Sequence, residues 1–124
     1  MTQAKQRVVV LGASDRPDRY AFKAVQFLLQ KGHDVVPVNP NVDAVEGLTV
    51  LDSLDEVVGP IDTLTLYVSP RISNALIDSI IRLKPGRVIF NPGSENTKLE
   101  TALQQHGIAW EQACTLVLLR TGQF

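Results

Sequence analysis

Thiols are scarce in this chain: Cys114 is the one cysteine. It has no partner for an internal disulfide, and no cysteine-based metal set can be built around it. The opening, MTQAKQRVVV, lacks an apolar signal region and a small-residue cleavage site. No apolar run is long enough to span a bilayer. A cytoplasmic location, away from membranes, is therefore expected. A dominant charge is missing too. The formal net charge is -1, which argues against a broad nucleic-acid or membrane surface. No repeat, low-complexity segment or linker interrupts the sequence, so one domain over residues 1–124 is expected. What remains is ordinary for a soluble globular domain: 44% hydrophobic and 20% charged residues. A chain of this length buries about two thirds of its unfolded surface and needs no staples.

Strand and helix patterns alternate. Arg7 to Leu11 (RVVVL) is a β-branched run closed by Gly12, which reads as a strand buried on both faces. Tyr20 to Lys31 has apolar residues at Phe22, Val25, Leu28 and Leu29, a helical spacing, with Gly32 as the stop. His33 to Val38 is the next strand. Pro37 removes one of its ladder donors and argues against a central place there. A short third strand is predicted near Leu48–Val50, followed by a short helix capped by Asp52 or Ser53. Asp62–Val68 and Arg87–Phe90 are further strands. SPRISNALIDSIIRLKPG predicts one helix with Pro70 at its first position and Ser69 as cap. NPGSENTKLETALQQHG predicts another, with Ser94 as cap. Ile108 to Trp110 begins a last strand; CTLVLL fits strand or helix. This alternation predicts an α/β fold: a Rossmann-like, doubly wound parallel sheet in three α/β/α layers, with strand order 3-2-1-4-5.

In such a sheet the ligand crevice opens where strand order reverses, at the carboxyl ends of strands one and four. Those ends are Gly12-Ala13-Ser14 and Val68-Ser69-Pro70. The ends of strands two (VNPN) and five (NPGSEN) share the edge. Gly12 lets backbone approach an anion, Ser14 adds a hydroxyl, and the first amides of the Tyr20 helix face the same place. Arg16, Arg19 and Lys23 outnumber Asp15 and Asp18. A cation in a helix's first turn opposes the dipole, and a bound phosphate would offset Lys23's position. The competing account is a solvated loop with local pairs such as Asp15–Arg19. The dinucleotide fingerprint G-x-G-x-x-G is absent, since no second glycine follows Gly12 until Gly32. Strand two ends in Val38-Asn39-Pro40, without the carboxylate that holds a ribose or an arginine for a ribose phosphate. These absences argue against NAD, FAD and NADP. The P-loop pattern is also missing.

The runs VVVLGAS, GHDVVPVNP, DTLTLYVSP, RVIFNPGSEN and EQACTLVLLRTGQF resemble the small CoA-binding proteins. Those share a Rossmann-like domain with the amino-terminal part of the succinyl-CoA synthetase alpha subunit. The resemblance runs from about Val8 to Phe124. It implies coenzyme A or an acyl-CoA in the crevice. Gly12, Ala13 and Ser14 would lie against the phosphates, with Arg16, Arg19, Tyr20 and Lys23 beside them. Asn39 and Pro40 would border the adenosine, and Val68, Ser69 and Pro70 the ligand's path. Asn91, Pro92 and Gly93 would lie toward the pantetheine. The synthetase's phosphorylated histidine belongs to a second domain outside the resemblance, so ligase chemistry does not carry over.

No paired carboxylates and no Ser/His/Asp set stand out, and neither catalytic nor metal-ligating residues are assigned. His33 and His106 flank helix-ending glycines, where the dipole alone favours them. Cys114 reads as a buried core thiol, with a mixed disulfide to CoA as the rival. Tyr67 and Trp110 read as core aromatics. The expected function is non-catalytic binding of CoA or an acyl-CoA. The alternatives are an enzyme using the same crevice for acyl transfer or for another phosphorylated nucleotide, and a homo-oligomeric interaction protein.

Overall fold

The structure, a computed structural model, describes residues 4–124. Five parallel strands form the main sheet: β1 (Arg7–Leu11), β2 (Asp34–Val38), β5 (Thr63–Leu66), β6 (Arg87–Phe90) and β7 (Ala109–Gln112), in the order β2-β1-β5-β6-β7. Alternate side chains feed two cores, as strands covered on both faces require. Val9 and Leu11 of β1 join Val88 and Phe90 of β6 on one face. There α3 (Ile77–Leu83) and α4 (Thr97–Gln105) contribute Ile80, Leu99 and Leu103. Val8, Val10 and Ile89 face the other way, onto Val25 and Leu28 of α1 (Tyr20–Gln30) and Leu119 of α5 (Thr115–Arg120). The three-layer, Rossmann-like α/β architecture is thus the observed one.

The order differs from the expected one in a detail. The segment near Leu48–Val50 is not a full strand of the main sheet. Ala44–Val45 (β3) and Leu48–Thr49 (β4) make a separate antiparallel hairpin, turned through Glu46 and Gly47, both at positive φ. A single parallel bridge, Val38 with Leu51, joins this segment to the sheet. Pro37 explains the stop. Leu51 N–H donates to the Pro37 carbonyl and Asn39 N–H to the Leu51 carbonyl. The next rung would need an N–H from residue 37, which proline lacks. The fifth strand of the sheet is instead β7.

The helix expected after β5 is two. The first, α2 (Pro70–Asn74), ends before α3 begins, and the join uses i→i−3 bonds from Ala75 to Ile72 and from Leu76 to Ser73. The α4 start holds this corner: Asn96 Nδ2 donates to Ser73 Oγ at 2.7 Å and to Asn74 Oδ1 at 2.9 Å. Asn96, not Ser94, caps α4 by accepting from Leu99 N–H. Ser94 donates instead to the Asn91 carbonyl at 2.7 Å. Ser69 occupies the α2 cap position without a side-chain cap bond. Ser53 does cap the 3-10 turn Leu54–Glu56. CTLVLL resolves as helix, being largely α5.

Candidate functional site

Strand order reverses at β1, which has β2 on one side and β5 on the other. A crevice opens over their carboxyl ends. Gly12 sits at its centre with φ +90°, and a Cβ there would stand 2.7 Å from the Tyr67 carbonyl oxygen. Glycine lets the ends of β1 and β5 close on each other. The amides of Gly12 and Ala13 both donate to the Val38 carbonyl, at 2.9 and 3.3 Å. They are occupied by the end of β2. The buried Ala13 fixes that corner further, its carbonyl accepting from Asn39 Nδ2 at 2.8 Å.

The amides at the start of α1 are differently placed. Arg19, the cap residue, has extended backbone and makes no side-chain cap bond, and no acidic residue lies in the first turn. A helix start leaves several N–H groups without intrahelical partners. Ser14 Oγ accepts from Arg16 N–H at 3.1 Å, which leaves its hydroxyl proton to donate. Among the described residues the ion pairs are Lys5–Asp34, Arg82–Asp55 and Arg87–Glu111. The local Asp15–Arg19 pair does not form, and Arg16 and Arg19 are exposed without a carboxylate partner.

Three hollows meet along the crevice. One of about 390 Å³ is walled by Gly12, Ser14, Arg16, Arg19 and Tyr20. A second, about 450 Å³, lies toward β2 and takes in Gly12, Asn39, Pro40, Val68 and Ser69. The third, about 370 Å³, lies toward β6 and includes Tyr20, Asn91 and Pro92. Lys23 stands apart. It lines a neighbouring hollow with Arg120, its ammonium 5.5 Å from the centre of the Tyr20 ring. Pro70 is the first residue of α2, behind Ser69. Gly93 lies in an exposed turn, its N–H donating to Glu95 Oε1 at 2.9 Å.

Tyr67 walls all three hollows, a position its strand context did not reveal. Its hydroxyl is buried and, among the described residues, has no hydrogen-bond partner within bonding geometry. Burial pushes the phenol well above its ordinary pKa, and the nearby Thr115 and Thr65 hydroxyls are taken up with one another, at 2.8 Å. Cys114 is half-buried on the wall of the third hollow, which Arg120 also lines, rather than sealed in a core. Both come from the last helix region, which no local pattern ties to the crevice. Trp110 is a core aromatic, edge-on to Phe90 at 5.9 Å.

Asn91 is buried, and its carboxamide makes three hydrogen bonds. It donates to Thr65 Oγ1 at 2.6 Å and to the Leu66 carbonyl at 2.8 Å, and accepts from Thr115 N–H at 2.9 Å. It welds β5, β6 and α5 beneath the third hollow. The histidines lie elsewhere. His33 is buried at the opposite sheet edge, Nδ1 accepting from Gln6 N–H at 3.0 Å. His106 is exposed at the end of α4. Among the described residues no His, Cys, Asp and Glu cluster suits a metal, and no helix is long and apolar enough to cross a membrane.

Sheet, crossovers and crevice define a Rossmann-like α/β protein with its opening at the topological switch point. The chain belongs to the CoA binding domain family, whose sequence profile matches residues 6–120. It is 37% identical to YneT of Bacillus subtilis over 65 residues, 52% of this chain and 48% of that protein. The chain thus spans about half the length of that curated relative in the match. A crystal structure with 39% identity covers 98% of this chain and 100% of its own, at a TM-score of 0.94. A Thermus thermophilus structure with 28% identity covers 97% of this chain and 91% of its own, at 0.88. An acetyl-coenzyme A synthetase from Ca. Korarchaeum cryptofilum shares the fold at TM-score 0.73. Its identity is 21%, over 85% of this chain and 25% of its own.

Proposed function

We propose that the crevice binds coenzyme A or an acyl-CoA and that the chain works as a binding module without chemistry of its own. The observation that carries this is the mouth of the crevice. An uncapped helix start, the Ser14 hydroxyl and two unpaired guanidinium-bearing residues, Arg16 and Arg19, converge on one hollow. Helix amides and arginines are the groups that hold phosphate oxygens. The pyrophosphate would sit there. The adenosine would lie in the hollow beside Asn39 and Pro40, and the pantetheine would run past Tyr67 toward Asn91, Pro92 and Cys114. The family membership supports the ligand class. The engaged Asn91 carboxamide supports a wall that shapes the ligand's path rather than one that moves protons.

Calorimetric titration with CoA and acetyl-CoA tests the reading. Arg16→Glu should weaken binding by about tenfold or more, since it replaces a charge-assisted contact with a repulsive one. Absence of heat and of any thermal shift with either ligand on the unaltered protein sinks it. A binding module stabilised by its ligand must show that shift.

A further inference from the structure

The hollow between the ends of β1, β2 and β5 is where the reading above puts the ligand's ribose. Its polar lining is Asn39, Asn41, Asp52, Ser53 and Ser69, and no lysine or arginine lines it. The shortage is regional. Between Gly32 and Pro70 the sequence has no lysine or arginine and seven carboxylates. Asp52 is exposed and has no ion pair among the described residues. Its amide donates to Glu56 Oε2 at 3.4 Å, so a second carboxylate stands beside it. The cations of the crevice, Arg16 and Arg19, wall the neighbouring hollow, and Arg120 the far one. Arg71 on α2 is not among the lining residues.

CoA differs from its dephospho form by a phosphate on the ribose 3′-oxygen. A free 3′-hydroxyl is a donor, and the Asp52 carboxylate, the Ser53 hydroxyl and the Asn41 carboxamide can accept from it. A phosphate dianion in the same place has no cation to meet and a carboxylate to repel it, and like charges across an interface cost affinity. We infer that this crevice is built for a ribose with a free 3′-hydroxyl, so that dephospho-CoA binds in preference to CoA. The inference rests on the proposed ligand class and on which end of the ligand lies toward β2.

Titrating the protein and its Asp52→Asn and Asp52→Lys variants with CoA and dephospho-CoA is the test. Dephospho-CoA should bind the unaltered protein about tenfold tighter. The ratio should narrow in Asp52→Asn and in high salt, and reverse in Asp52→Lys. CoA binding as tightly as dephospho-CoA, or more tightly, overturns the inference and leaves the CoA-binding reading standing. Binding of neither ligand removes that reading, and the inference goes with it.

Discussion

Gly12 and Tyr67 show how far single residues announce their roles. Gly12 marks the strand end in the sequence, yet its necessity is a contact with Tyr67, 55 positions on, whose carbonyl oxygen would stand 2.7 Å from an added Cβ. Tyr67 reads as a strand aromatic because only the fold brings three hollows to its ring. His33 carries the clearest pH prediction. Burial, and then the charge of Arg87, hold its pKa below the usual histidine value of 6.5. The unfolded chain therefore takes up a proton that the folded chain refuses, and stability rises with pH across that window. The contribution is whole above about pH 6.5 and is lost as pH falls toward the folded value. Urea midpoints between pH 5.5 and 7.5 should fall on acidification. His33→Gln should flatten the slope, and equal slopes in the two proteins would refute the assignment.

At the scale of elements, the sequence pattern located the main-sheet strands: four are apolar runs bounded by turn residues, whereas β7 (AWEQ) showed only its start, at Ile108 to Trp110. The pattern misplaced what depends on partners. Pro37 was visible as a missing donor, and the structure turns that one absence into the end of the third-strand ladder. At the α2–α3 break Asn96 bonds to Ser73 and Asn74, more than twenty residues away, a contact that no local pattern encodes. The start of α1 sets local stability against the proposed function. Arg19 holds a cap position with φ -86° and ψ 142°, a conformation suited to Asp, yet offers no cap bond. Arg19→Asp should therefore stabilise the fold by about 1 kcal/mol, through the cap and the dipole together. The same change should weaken CoA binding by about tenfold. Denaturation and calorimetry on one preparation check both signs. Tighter binding in the more stable variant would mean that the anion sits elsewhere.

Across the whole molecule, the two-sided core was legible and the crevice only half so. Turns after β1, β2, β5 and β6 were expected on one edge, and the topology puts them there. The share contributed by Cys114, Leu116 and Arg120 was not, because α5 reaches the third hollow only after the sheet is complete. That late wall makes the binding reading testable at distance. Asn91 links α5 to β5 and β6 through the Thr115 amide and Thr65 hydroxyl. A ligand that spans from Arg19 to Cys114 contacts segments nearly a hundred residues apart in sequence and must stabilise both against local opening. Hydrogen exchange with saturating CoA should slow at the first turn of α1 and in α5 together, with β7 unchanged at the far sheet edge. Truncating the ligand to ADP should keep the protection at α1 and release it at α5. Protection confined to α1 with the full ligand would place the pantetheine outside the third hollow.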